Sequence, residues 1–348
     1  MRNVRKLAFP LVAVALAAAA CSSSGTPAAG TPTGDPVTIT IAISNATNST
    51  YAQTDIAESL GYFKKWGINL KVSAVTSGSQ TFTEMLAGQA QCVIGVYDHT
   101  IDLQAEGKAV ESIMTLNDEP GFVVMVRTDE SSSITSAAQL TGKKVGITGV
   151  GGSTQFIVQG VVQHAGGNGN GITPVSVQSG STFVAAMEND SIDAGISTEP
   201  TVSSLLSKHD ATILADMRTA AGTQAALGGP YVGTSLVCPT AWVNAHATVA
   251  QDMVNAEHEA LVYIQQHSAA QIASEIPTAD YIGNSKASYT QALANEIGIF
   301  SPTGLMIQDG PQSVLRILQS FDKSVQGKTI NLSATYTNKF VQNVPAGD

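Results

Sequence analysis

The sequence predicts an α/β fold of two lobes, each a mostly parallel sheet flanked by helices. Three observations lead there. Strand-like and helical segments alternate from Val37 to about Met217, a pattern that builds a parallel sheet covered by helices. The alternation breaks once, at FVVMVRTDESSSITSAAQL (Phe122–Leu140), and then restarts as a second α/β unit. Beyond Tyr231 the chain turns to long amphipathic helices, and 348 residues suit two domains better than one.

The N-terminal end comes first. Arg2, Arg5 and Lys6 precede an apolar run, Leu7–Ala20, broken only by Pro10. A spanning helix needs about 20 apolar residues, so a basic start and a shorter apolar run predict a secretory signal over residues 1–20. Cys21 follows Ala18-Ala19-Ala20 directly. That arrangement resembles the lipobox of bacterial lipoproteins, which implies lipidation at Cys21. Ala18 stands where such motifs usually carry leucine, and ordinary signal cleavage nearby is the alternative. Ser22–Pro36 is Ser, Gly, Thr, Pro and Ala with Asp35 as its only charge, so residues 21–36 read as a lipidated cysteine and a flexible tether.

The elements follow in order. VTITIAIS (Val37–Ser44) has β-branched residues at period two, and TDIAESL is helical up to Gly61. INLKVSAV, the helix QTFTEMLA closed by Gly88, CVIGVY, the helix DHTIDLQAE closed by Gly107, and VESIMTL continue the alternation. After the strand Phe122–Arg127 and a polar loop, KVGIT, the helix after GVGGST, ITPVSV, TFVAAMEND, IDAGIS and TILADM make the second unit. YVGTSLVCPTAWV reads as strand again, and the helices VAQDMVNAEHEALVYIQQH, SYTQALANEIGIF and PQSVLRILQSF are expected to pack back on the first unit. The expected division is residues 37–126 plus 236–348 for a discontinuous lobe I and 127–235 for lobe II, with two crossing strands.

Composition excludes several classes. A net charge of -10, with no Lys/Arg cluster, makes the chain a poor nucleic-acid binder. No second long apolar run follows the signal, so no later segment is expected to cross a membrane. Cys92 and Cys238 lie far apart in apolar, strand-like runs and read as two buried free thiols, with a disulfide as the lesser alternative. No metal spacing is present, and neither G-x-S-x-G nor H-E-x-x-H occurs, so no catalytic residue, metal or cofactor is expected.

GYFKKWGINLKV, EMLAGQAQCVIGV, LTGKKVGIT with GGST, SIDAGISTEP and AWVNAH occur in that order. As an ordered set they resemble extracytoplasmic solute-binding proteins of the nitrate, sulfonate and taurine class of ABC importers, whose superfamily also binds thiamine-pyrimidine precursors. The resemblance implies a periplasmic-binding-protein type II fold and no enzymatic activity. It also implies a monomer that hands a small solute to a membrane permease and ATPase, held by its lipid anchor on the outer face of the cell membrane. A branch of cytosolic thiamine-pyrimidine-forming enzymes carries a cysteine-rich segment that this chain lacks.

Ligands in open α/β sheets sit outside the carboxyl ends of the strands. Those ends supply Ser44, Asn45 and Tyr51; Ser79 and Gln80; Tyr97 and Asp98; Gly152, Ser153 and Thr154; and Glu199. Serine, threonine and glycine at helix N-termini hold an anion without Lys or Arg, and the same residues serve as plain helix caps. Asp98 and Glu199 point the other way, since carboxylates in a cleft favour an amine or a ring N–H. Helix capping is the simpler role for Asp98, and Glu199-Pro200 is a helix start. The expected solute is a small organic anion of the sulfonate, nitrate or taurine kind, with a neutral or cationic pyrimidine-like ring as the alternative; a thiamine-pyrimidine-forming enzyme and a non-transport sensor lipoprotein are further ones.

Overall fold

Strand β1 (Val37–Ser44) buries Ile39, Ile41 and Ile43, the period-two spacing of its sequence placed on one face. This computed structural model describes residues 35–44, 48–277 and 285–345; the signal run, Cys21, most of the tether and Asn45 lie outside them. From β1 the chain runs through α1 (Ala52–Ser59), α2 (Tyr62–Lys65), β2 (Ile68–Val75), α3 (Gly78–Leu86), β3 (Cys92–Val96), α4 (Asp98–Ala105) and β4 (Val110–Thr115). Gly61 and Gly88, just past α1 and α3, have φ of +76° and +77°, the left-handed turn that ends a helix at low cost only with glycine.

A second series follows: β5 (Val123–Arg127), β6 (Lys144–Ile147), α5 (Ser153–His164), β7 (Thr173–Ser176), α6 (Ser181–Glu188), β8 (Ala194–Ser197), α7 (Thr201–Lys208), β9 (Ala211–Asp216) and α8 (Ala220–Leu227). The chain then enters β10 (Thr234–Pro239) and closes with α9 (Thr240–Ala245), α10 (Ala247–Gln266), α11 (Ala269–Glu275), α12 (Lys286–Glu296), α13 (Gly310–Phe321) and α14 (Lys339–Gln342). Among the described residues no helix is long and apolar enough to cross a membrane.

The strands form two five-stranded sheets, β2-β1-β3-β10-β4 and β7-β6-β8-β5-β9. The order is the same in both. In each, three neighbouring strands are parallel and one strand runs against its neighbours: β10 pairs antiparallel with β3 and β4, and β5 with β8 and β9. Each reversed strand is one of the crossing strands, and it enters the sheet of the lobe at which it arrives. The α/β fold of two sheets flanked by helices is therefore the one the alternating pattern predicts.

Packing follows the pleat. Val123 and Met125 of β5 join Phe183, Met187 and Leu205 on one face of the second sheet, while Val124 and Val126 join Val145, Ile157 and Val161 on the other. The first sheet buries Ile41, Ile94 and Leu236 against Met253, Leu261 and Ile264 of α10. Each such side chain contributes about 1.5–3 kcal/mol by leaving water.

Four expectations need correction. Strand β5, placed by sequence at the end of lobe I, pairs in the second sheet, and β10 begins at Thr234 in the first sheet, ahead of the expected boundary at 236. The run Tyr231–Val243 is strand only over Thr234–Pro239, since Pro239 has no N–H to continue the ladder and α9 starts after it. Helix α13 packs on α5 of the second lobe as well as on α4 of the first, with Val314, Ile317 and Leu318 in a core to which both lobes contribute. Cys92 and Cys238 are bonded, with Cα atoms 4.4 Å apart, because β10 lies beside β3 in a register that sets the two residues opposite each other.

Candidate functional site: a cleft between the two sheets

The carboxyl ends of the parallel strands of both sheets open onto one cleft enclosing about 550 Å³, part of it continuous with solvent. From the first lobe come Ser44 at the end of β1, Asn48, Thr50 and Tyr51 beyond it, Gly78 at the start of α3, and Gly95 and Val96 at the end of β3. The second lobe supplies Thr148 after β6, Ser153 and Thr154 at the start of α5, Ser179 before α6, and Ser197 and Thr198 at the end of β8. Pro120, Phe122 and Thr234, from the crossing segments, complete the wall. None of these lining residues is Asp, Glu, Lys or Arg. The wall is hydroxyls, an amide, two aromatic rings, aliphatic carbon and two helix N-termini.

Hydrogen bonds fix several of these groups. Ser44 Oγ and Tyr51 Oη share a proton at 2.7 Å, and burial holds the Tyr51 phenol above its usual pKa despite that bond. Thr154 Oγ1 accepts from the Thr148 amide at 3.1 Å and meets the Thr148 hydroxyl at 2.9 Å, closing the turn into α5. The N-cap positions of α3 and α5, Ser77 and Gly152, make no side-chain cap, so the first amides of both helices find no side-chain acceptor on the capping residue. The Ser197 and Thr234 hydroxyl oxygens, both buried, have no hydrogen-bond partner among the described residues.

The lobes touch where α3 meets the loop before α5. Ser79 Oγ donates to the Val150 carbonyl at 3.3 Å, and a Cβ on Gly149 would stand 2.6 Å from Ser77 Cβ. Only glycine allows that approach. Next to it, Asp98 at the start of α4 is 0% exposed and accepts from Ser153 Oγ through Oδ1 and from Tyr231 Oη through Oδ2, each at 2.7 Å. Burial, then the Asp98 charge, pushes the Tyr231 phenol well up.

Glu199 forms a second bridge. Also 0% exposed, it accepts from Arg218 Nη1 at 2.8 Å, from the Ser203 amide at 3.0 Å and from Asn295 Nδ2 at 3.2 Å. The amide bond caps α7, while Asn295 reaches across from α12, which packs on the first lobe through Tyr289 and Leu293. Glu296 lies behind, accepting from Ser49 Oγ at 2.8 Å; burial, then the Glu199 charge, raises its carboxyl well above the usual range.

Of the sequence candidates, Ser44, Tyr51, Ser153 and Thr154 line the cleft, whereas Ser79, Gln80, Tyr97, Asp98, Gly152 and Glu199 are outside its lining. Gln80 accepts from Thr76, Tyr97 turns its phenol to Thr335, and Gly152 is the N-cap of α5. Sequence reasoning missed Thr50, Gly95, Val96, Pro120, Phe122, Thr148, Ser197 and Thr234. Ser197 was reachable by the rule of strand carboxyl ends; Pro120, Phe122 and Thr234 belong to the crossing segments, whose turn toward the cleft depends on how the lobes join. Among the described residues no group of His, Cys, Asp and Glu has metal-site geometry.

Known structures share this architecture. A protein from Bordetella bronchiseptica RB50 is 28% identical, with 88% of this chain and 96% of that one aligned at a TM-score of 0.83. The alkanesulfonate-binding protein SsuA from Xanthomonas axonopodis pv. citri, bound to MOPS, is 15% identical over 88% of this chain and 99% of its own, with a TM-score of 0.70. The nitrate-binding protein NrtA from Synechocystis is 11% identical over 88% of each chain, with a TM-score of 0.67. The fold is thus that of periplasmic binding proteins. Curated relatives are 4-amino-5-hydroxymethyl-2-methylpyrimidine phosphate synthases: THI11 of Saccharomyces cerevisiae, 30% identical over 145 residues, and the Legionella pneumophila protein, 29% identical over 163. The chain spans 41% and 48% of their lengths, and the alignments take in 41% and 45% of this chain. Residues 48–270, well over half of the chain, match the NMT1/THI5 like family, and the chain belongs to that family.

Proposed function

We propose that this protein is the solute-binding component of an ABC importer, anchored by lipid at Cys21 to the outer face of the cell membrane. It holds a small organic solute between its lobes and delivers it to a membrane permease. It works as a monomer and performs no covalent chemistry. One observation carries the reading: a cleft at the carboxyl ends of both sheets, walled by hydroxyls and two helix N-termini and free of ionised carboxylates. Asp98 and Glu199, the two acids whose repulsion would count against an anion, are engaged with Ser153 and Tyr231 and with Arg218. That favours a small organic anion, a sulfonate or carboxylate, on the helix ends.

The apolar and aromatic lining residues Phe122, Pro120, Val96 and Tyr51 support a second reading, in which the solute is a neutral heteroaromatic ring. Thermal unfolding of the purified protein with alkanesulfonates, nitrate, aromatic carboxylates and aminopyrimidines separates them. A ligand at a hundredfold its Kd adds about 2.7 kcal/mol of stability, a clear rise in Tm. A rise with anions alone supports the first reading; a rise with rings alone replaces it by the second; no rise with any solute removes the binding role.

A further inference from the structure

The bond between Asp98 and Ser153 decides what Ser153 offers to the cleft. A serine hydroxyl owns one proton and two lone pairs, while a carboxylate only accepts. At 2.7 Å the Ser153 proton is committed to Asp98 Oδ1, and the other carboxylate oxygen is committed to Tyr231 at 2.7 Å. Asp98 is fully buried at the start of α4, Ser153 is the first residue of α5, and Tyr231 lies on the segment entering β10. Three parts of the chain therefore converge on one carboxylate. If Ser153 turned its proton to a solute, a buried carboxylate oxygen would be left without that donor, a costly exchange. Ser153 lines the cleft, and with its proton committed its hydroxyl has only lone pairs left to offer a solute, made more negative by the charge behind it.

We propose that Asp98 is a positioning residue that holds Ser153 as a hydrogen-bond acceptor, so that the solute carries an N–H donor at this point of the cleft. The inference rests on the solute-binding reading and sharpens it. An anionic group of the solute sits away from Ser153, and the end facing Ser153 bears an amino or ring N–H.

Matched probes test this by calorimetry: 2-aminoethanesulfonate against ethanesulfonate, 4-aminobenzoate against benzoate, and 4-aminopyrimidine against pyrimidine. In the native protein the amino member of at least one pair should bind about tenfold more tightly, the equivalent of 1.4 kcal/mol. Ser153→Ala should bring the two members of that pair to within about twofold. Asp98→Asn should shrink the ratio as well, because an amide cannot accept from both hydroxyls. Tyr231→Phe leaves the Asp98–Ser153 bond in place and should keep the ratio even if overall affinity falls; a merely structural Asp98 would make Tyr231→Phe and Asp98→Asn alike. Should Asp98→Asn fail to fold, the Ser153→Ala and Tyr231→Phe pair decides. Equal binding within every pair, or a preference that survives Ser153→Ala, overturns the inference and leaves the solute-binding reading standing. If no probe of any pair binds, both fall.

Discussion

Single residues on this chain differ in what they owe to their neighbours in sequence. Asp98 and Glu199 stand at helix starts, and local spacing offers them helix capping. Their main partners are remote: Ser153 and Tyr231 are 55 and 133 positions from Asp98, and Asn295 is 96 from Glu199. Those bonds exist only after the lobes meet, so no local pattern reveals them. Glu257, which was not singled out at all, is a sharper case. It is fully buried on α10, takes one hydrogen bond from Thr54 Oγ1 at 2.8 Å, and burial pushes its carboxyl up to about 8. Its folded pKa lies above the unfolded one, so the stability it contributes is complete at acid pH and is lost as pH rises from about 4.5 through 8. Thermal unfolding at pH 5 and pH 9 should therefore show a smaller loss of Tm for Glu257→Gln than for the native protein. Glu296, shifted in the same direction, keeps some slope in both. Identical slopes would show that Glu257 carries no charge cost.

Elements were the most legible scale. Strands with period-two β-branched residues and helices closed by glycine appear close to where the sequence puts them, because each pattern satisfies its own backbone and one buried face locally. Pairing between elements was not legible. Which strand lies beside β3 depends on a chain reversal more than 100 residues away, and the disulfide follows from that neighbour, not from cysteine spacing. The bond spans 146 residues between β3 and β10 and limits the unfolded chain severely. Replacing both cysteines by alanine should lower stability by about 2–5 kcal/mol, read from the denaturant midpoint. A loss under about 1 kcal/mol would show that the ladder between the two strands fixes this pairing without the bond.

At the scale of the whole molecule, two lobes were foreseeable from the break in alternation, and so was the seat of α10 and α12 on the first lobe, whereas the seat of α13 was not. An amphipathic stripe shows that α13 must bury one face and says nothing about which lobe receives it. The cleft wall was half legible for a similar reason: the strand-end segments are local, the crossing segments are not. Asp98–Ser153 and Glu199–Asn295 are two of the hydrogen bonds that join the lobes. Asn295→Ala removes one of them while Arg218 still neutralises Glu199. Solution scattering of that variant should give a larger radius of gyration, and solute affinity should fall about fivefold, as expected for one hydrogen bond of about 1 kcal/mol. An unchanged radius together with unchanged affinity would show that Asn295 does not hold the lobes.

Strand β10 sits between β3 and β4 although it follows them by some 120 residues. As the ribosome delivers the chain, β3 and β4 emerge early and face each other across a vacant place one strand wide, and the whole second lobe is made before the missing strand arrives. The first sheet is the last part of the molecule to be completed even though it holds the first strand. A nascent chain in that condition has no finished core at its leading end until the second lobe has been made, so its two earliest strands wait on the last-arriving one.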